Sequence, residues 1–107
     1  MANVFKNAGV AVGTSATTIY TAPAATTGII HAIYISNVDG TNDANVSITV
    51  TDTSAGATYH IMKTVAVPAD STLVIEKPIN LEPTDVLKVK ASAAGDLEAF
   101  VSVLEMT

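Results

Sequence analysis

The sequence predicts an all-β fold: a single antiparallel β-sandwich, jelly-roll or immunoglobulin-like, of about seven to eight strands with an extended N-terminal arm. Three observations carry that reading. Of the 107 residues, 37 are Val, Ile or Thr, whose branched Cβ atoms suit a pleated, half-buried surface better than a helix. Helix formers other than Ala are scarce, with 5 Leu and 4 Glu, and the alanines sit among breakers, as in Thr21-Ala22-Pro23-Ala24-Ala25-Thr26-Thr27-Gly28. Turn residues cluster about every 8 to 12 positions, the spacing of strands in a sandwich.

Taken in order, residues 1–8 follow neither period and carry Val4 and Phe5 among polar neighbours, so they are expected as an arm that orders on contact. The sandwich domain is assigned to residues 9–107. Val10-Ala11-Val12 and Thr18-Ile19-Tyr20-Thr21 are short strands separated by Gly13-Thr14-Ser15. From Ile29 to Asn37 both alternating faces are apolar, which reads as a central strand covered on both sides. Val38 to Ala44 is a polar turn segment, and Asn45 to Asp52 then alternates, with Val46, Ile48 and Val50 on the dry face.

Thr58 to Val67 is the next strand, with Tyr59, Ile61, Val65 and Val67 expected on one face. Lys63 interrupts that face, which predicts a bulge or an edge position. Ser71 to Lys77 pairs Leu73 with Ile75 on one face, and Pro78 and Pro83 bracket a corner because neither can donate to a ladder. In Asp85 to Ser92, Leu87, Val89 and Ala91 point inward, with Lys88 and Lys90 in solvent. Leu97 to Met106 closes the domain, with Leu97, Ala99, Val101 and Val103 on one face and Phe100, Leu104 and Met106 on the other. A last strand that is apolar on both faces needs a partner for the second.

The composition excludes several kinds of chemistry. There is no Cys, hence no disulfide framework, thiolate metal site or thiol nucleophile. All 5 basic residues are Lys and the net charge is -5, which argues against nucleic acid as a partner, since phosphate recognition relies on clustered basic groups and guanidinium forks. No apolar run approaches the length that spans a bilayer, and the N-terminus lacks the apolar stretch of a signal peptide, so no membrane association is expected.

Catalytic constellations are thin. The sequence lacks Gly-x-Ser-x-Gly, His-Glu-x-x-His and a Gly-rich phosphate loop. His31 and His60 fall on separate strands that could neighbour in a sheet, but no third ligand accompanies them. Asp39, Asn42, Asp43 and Asn45 crowd oxygen ligands into one loop, yet Gly40 is misplaced for a calcium loop and no Glu closes it. Asx residues also serve ordinary turns. No catalytic residue, metal site or cofactor is assigned, and an enzyme is not expected.

At Thr18-Ile19-Tyr20-Thr21-Ala22-Pro23 and Ile33-Tyr34-Ile35-Ser36-Asn37 the chain resembles small structural proteins of tailed-bacteriophage virions. The likeness continues through Val46 to Asp52, Val65-Ala66-Val67-Pro68-Ala69 and Leu81 to Val89, covering most of the chain after about residue 15. The resemblance implies a β-sandwich virion component without an active site: a capsid decoration or cement protein, or alternatively a neck or tail accessory protein that binds host glycan. It implies a place on the capsid exterior, with the major capsid protein and further copies of the chain, a homotrimer favoured, as partners. One departure concerns the corner Pro83-Thr84-Asp85, where such proteins often have Pro-Gly-Asp. Threonine disfavours positive φ, so a type I turn is predicted there. Val4 and Phe5 in the arm, with Phe100, Leu104 and Met106 on the last strand, are the candidate interface residues, because they lack an obvious partner within the domain.

Overall fold

A computed structural model describes residues 2–107, and Met1 lies outside the described residues. Nine strands follow in chain order: β1 (Asn3–Ala11), β2 (Thr17–Thr21), β3 (Thr27–Asn37), β4 (Ala44–Asp52), β5 (Ala57–Val67), β6 (Thr72–Ile75), β7 (Ile79–Leu81), β8 (Val86–Ala91) and β9 (Leu97–Met106). One sheet runs β1-β9-β3-β6, with β7 also on β3, and the other runs β2-β8-β4-β5.

Every pairing is antiparallel. β1 pairs β9, β2 pairs β8, β3 pairs β6 and β7, and β4 pairs β5, so the chain is one long hairpin with the β4-β5 turn at its tip. Wrapping that hairpin brings β9 against β3 and β8 against β4. This is the jelly-roll order, which decides between the two sandwich topologies the sequence allows.

Between the sheets, Ile30, Ile33, Ile35 and Val101 from one face Val46, Ile48, Leu87 and Val89 from the other, and all are fully buried or within 1% of it. Each such side chain contributes about 1.5–3 kcal/mol through removal from water. The inward alternation expected for β4, β8 and β9 matches this core.

In β3 the apolar run is not buried on both faces throughout. Its register against β9 shifts between Ile30 and Ala32, and the bulge at His31 places Ile30, Ile33 and Ile35 all inward while His31 is exposed. One extra residue reverses the phase, so a one-sided strand reads in sequence as a two-sided one. β5 shows the same effect. It is an edge strand with register shifts either side of Ile48, and Thr64 has φ 53°. Met62, rather than the expected Ile61, consequently packs against the core, and Ile61 and Tyr59 are exposed.

The stretch expected as an arm is largely strand. Residues 3–8 belong to β1, which is in register with β9 from Asn3↔Met106 to Ala11↔Glu98, so the boundary drawn after residue 8 falls within an element. β1 lies at the sheet edge, and from Asn3 to Asn7 both of its faces are exposed, so no alternation marks that part in the sequence, while Ala8 and Val10 pack against the core. The segment 71–77 likewise splits. β6 ends at Ile75, and after Pro78 the chain returns to β3 as β7.

The Pro83 corner is type II, not type I. Asp85 N–H donates to Glu82 O at 3.0 Å, Pro83 holds the second position as expected, and Thr84 takes the third with φ 71°. Hydrogen bonds hold it there. Thr84 N–H donates to Ala22 O at 2.9 Å, and Thr53 Oγ1 donates to Thr84 O at 2.8 Å. The buried Asp85 carboxylate accepts the Thr53 and Glu82 N–H groups, each at 3.0 Å. At about 1 kcal/mol net apiece these bonds outweigh a left-handed penalty of about 1–2 kcal/mol.

Candidate functional site

Antiparallel register aligns side chains across the outer face of the five-stranded sheet into rows. Gly9, Phe100, Tyr34 and Val74, from β1, β9, β3 and β6, form one row. Phe5, Leu104, Ile29 and Asn80 form a second, four residues further along β1. A row of small and polar residues, Asn7, Ser102 and Ala32, lies between them. The large side chains here are not covered: Phe5 is 76% exposed, Phe100 43%, Val74 39% and Tyr34 38%. Aromatic and branched groups thus stand partly in solvent on one face of the sheet.

Gly9 leaves room for this packing. A Cβ there would lie 3.3 Å from Phe100 Cδ1, so the glycine lets the ring settle across β1. Phe5 leans toward the bulge in β3, its ring centroid 6.0 Å from that of His31. An open depression of about 390 Å³ lies beside the first row, bordered by Gly9, Tyr34, Ser36, Glu98 and Phe100.

Of the interface residues expected from sequence, Phe5, Phe100, Leu104 and Met106 come together on this face, with Met106 aligned to Asn3 and Thr27. Val4 does not. It aligns with the inward Glu105 and lies on the opposite side of β1, because consecutive strand residues face opposite ways. Tyr34 and Val74 belong to the surface but were not anticipated there. The bulge at His31 hides the outward phase of Tyr34, and Val74 appears only as the alternate of Leu73 and Ile75.

The opposite side of β1 carries a polar contact between the sheets. Tyr20 Oη donates to Glu105 Oε2 at 2.6 Å, and Lys6 Nζ lies 3.5 Å from Glu105 Oε1. Burial pushes the Tyr20 phenol far above the usual tyrosine range, and the adjoining carboxylate adds to the effect.

No reaction centre assembles from the residues the sequence singled out. His31 and His60 stand in different sheets, on β3 and β5, so the pair is not neighbouring in a sheet. In the polar loop, Asp39 Oδ1 accepts the Thr41 and Asn42 N–H groups at 2.8 and 3.1 Å, and Asp43 Oδ1 accepts that of Ala69 at 3.0 Å. The Thr41 N–H and the side-chain and backbone N–H groups of Asn42 hold the Asp39 carboxyl below its ordinary range. The Asp39 oxygens close a local turn, and Asp43 ties the loop to Ala69. Asp52, Glu82 and Asp85 bring carboxylate oxygens within 4.8 Å of one another, but Asp85 holds the type II corner and Asp52 Oδ1 accepts from Ser54 Oγ at 2.9 Å. No helix among the described residues is long and apolar enough to cross a membrane.

No protein-family model matches the chain, and no curated protein matches it. Solved structures share the fold. The chain is similar to one in the acidic stable capsid structure of Helicobacter pylori bacteriophage KHP30, with a TM-score of 0.61 and 11% identity over 100% of this chain and 89% of that one. It is also similar to a subunit of Bacillus endospore appendages, described as disulfide-linked pili, with a TM-score of 0.59 and 15% identity over 99% and 87% of the two chains. A chain of the infectious bursal disease virus Gx strain matches with a TM-score of 0.52 and 13% identity, over 98% of this chain and 33% of that one. At these identities the likeness is one of fold.

Proposed function

We propose that the protein is a non-enzymatic structural component of a bacteriophage virion, and within that class a capsid decoration protein that binds the outer shell and bridges capsomers. The observation that carries this reading is the pair of apolar rows on the outer face of the five-stranded sheet, where Phe5, Phe100, Tyr34 and Val74 project from a rigid wall without convergent catalytic groups. Such a face docks on a protein surface. The fold shared with a chain of a phage capsid structure supports the setting, as does the sequence resemblance to virion structural proteins. A disulfide-linked assembly, as described for the endospore appendages, is closed to a chain without Cys.

On this reading the partners are the major capsid protein and further copies of the chain. Repeated weak contacts, each burying a few of these side chains, give a firm clamp through multivalency. A tail or neck accessory role that binds host glycan is the second reading. It is favoured by the open depression bordered by the aromatic Tyr34 and Phe100 and the polar Ser36 and Glu98, a lining of a kind that suits a sugar ring.

A virion reconstruction with this chain traced decides between them. Density repeating over the capsid lattice, with the Phe5 and Phe100 face against coat protein, is the expected result. Absence from the shell together with density at the neck or tail overturns the decoration role, and glycan binding abolished by Tyr34→Ala then supports the second.

A further inference from the structure

Two backbone hydrogen bonds fix which groups of β1 are unpaired within the chain. Val12 N–H donates to Leu97 O at 2.9 Å, and Thr107 N–H donates to Ala2 O at 3.0 Å. In an antiparallel ladder reciprocal pairs recur at every second residue, so the even residues of β1 exchange bonds with β9. The N–H and C=O groups of Asn3, Phe5, Asn7, Gly9 and Ala11 therefore point away from the sheet.

The other sheet edges are blunted. β6 and β7 have 4 and 3 residues and are separated by Pro78. β2 has 5 residues and a register shift between Thr18 and Tyr20. β5 is long but carries two register shifts, Thr64 at φ 53° and Lys63. Short strands, bulges and lysine are the devices by which sheets avoid edge-to-edge pairing. β1 has 9 residues in unbroken register, no Pro and a single charge, Lys6.

We infer that two copies of the chain pair through β1, antiparallel about a two-fold axis at Asn7. Of the two-fold registers open to this edge, only the one centred on Asn7 engages all of the outward-facing residues: Asn7 with Asn7, Phe5 with Gly9 and Asn3 with Ala11 of the second copy. Centring on Lys6 would oppose two like charges, and centring on Phe5 would leave Gly9 and Ala11 unpaired.

The same register has a consequence on the outer face. Phe5 of one copy lies opposite Gly9 of the other, beside the Phe100 ring that already rests on that glycine. The two apolar rows, offset by four residues on one chain, become collinear across the axis. Val74, Tyr34, Phe100 and Gly9 of one copy run on into Phe5, Leu104 and Ile29 of the second. Edge, register and side-chain pattern thus select the same partner, a second copy. The contact is isologous and closes at two copies, in place of the three anticipated from sequence. It does not depend on the virion role.

Light scattering on the purified full chain reads the first consequence, a particle of twice the 10.9 kDa chain mass. Asn7→Pro removes a donor that faces away from β9, so the mass should fall to that of one chain while the far-ultraviolet circular dichroism keeps its β form. Because the chain has no Cys, Asn7→Cys gives a clean geometric test: mild oxidation should convert it to a covalent dimer, and Lys63→Cys on the β5 edge should remain uncross-linked. A wild-type mass of one or three chains, a dimeric Asn7→Pro variant, or cross-linking at residue 63 as readily as at residue 7 overturns the inference.

Discussion

The Tyr20 hydroxyl donates to the Glu105 carboxylate at 2.6 Å, joining β2 of one sheet to β9 of the other at a place where the core gives way to solvent. Glu105 is only 8% exposed, and a carboxylate that deep needs its partners. Tyr20→Phe should therefore lower stability at pH 7 by about 2 kcal/mol, read from denaturant unfolding. The sign with pH follows from the raised phenol. Unfolded, Tyr20 ionises near its ordinary 10.0, while the folded site holds the proton to higher pH. The contribution of this contact is thus fully present below pH 10 and is lost as the pH rises beyond it. The gap between wild type and Tyr20→Phe should narrow in strong alkali, and a gap that widened there would contradict the assignment.

The same tyrosine accounts for a glycine. A Cβ on Gly28 would lie 3.0 Å from both Cε2 and Oη of Tyr20. Gly28→Ala should cost about 1–3 kcal/mol by overpacking and should disturb the Tyr20 to Glu105 bond. Gly40→Ala, where the nearest atom outside the adjoining residues is Asp70 Oδ2 at 3.6 Å, is the matched control and should be near neutral. Thermal melts of the pair check the contrast.

Thr84 occupies the left-handed region with a branched side chain, in the third position of a type II turn. Its tertiary bonds run through the backbone N–H and C=O, which glycine keeps. Thr84→Gly should raise stability by about 1 kcal/mol, seen as a higher denaturation midpoint at unchanged slope. A loss would mean that the entropy of the unfolded glycine outweighs the strain removed.

Asp39 and Asp96 form an opposed pair near the start of β9. Backbone and side-chain donors in the Asp39 turn hold that carboxyl low, whereas partial burial and the Asp39 charge push Asp96 up from 3.8. Asp39 accordingly supports the fold above its unfolded range, and loses that effect as pH falls through its depressed value. Asp96 does the reverse: its ionised form is disfavoured in the fold, so its charge opposes folding at neutral pH. Asp96→Asn should be more stable than wild type at pH 7, with the advantage fading as the pH falls through the raised value. Urea midpoints at pH 7 and pH 3 test it.

Where strands alternate without interruption, as in β4, β8 and β9, the inward phase is legible in the sequence, although the buried Ala44 and Glu105 at the strand ends are not. It was not legible where a bulge shifts the phase. Ile29 to Ile35 contains enough isoleucine to look buried on both faces, and only the extra residue at His31 sends Tyr34 outward. Only the end of β1, at Val10-Ala11, shows in the sequence, because the edge strand is exposed on both sides from Asn3 to Asn7 and needs no alternation there. That omission bore directly on the candidate surface. The sequence places Phe5 in an arm, whereas it stands in the same row as Leu104, on the face that also carries Phe100. The apolar second face of β9 was visible from composition, but the neighbours that extend it across the sheet were set by register, which is a tertiary property.

Phe5 offers the sharpest test of the outer face. Its ring is 76% exposed and lies outside the buried core, so Phe5→Ser should change the stability of the isolated chain by no more than about 0.5 kcal/mol. At an interface, an aromatic anchor of this kind contributes about 2 kcal/mol or more. The corresponding loss of affinity for the partner surface is more than about tenfold. Phe100→Ser differs in kind, because Phe100 also covers Gly9 and should cost stability as well as binding. Sedimentation of each variant with undecorated capsids, beside unfolding curves, separates the two effects. Retention of Phe5→Ser at wild-type levels would remove this face from the contact with the shell.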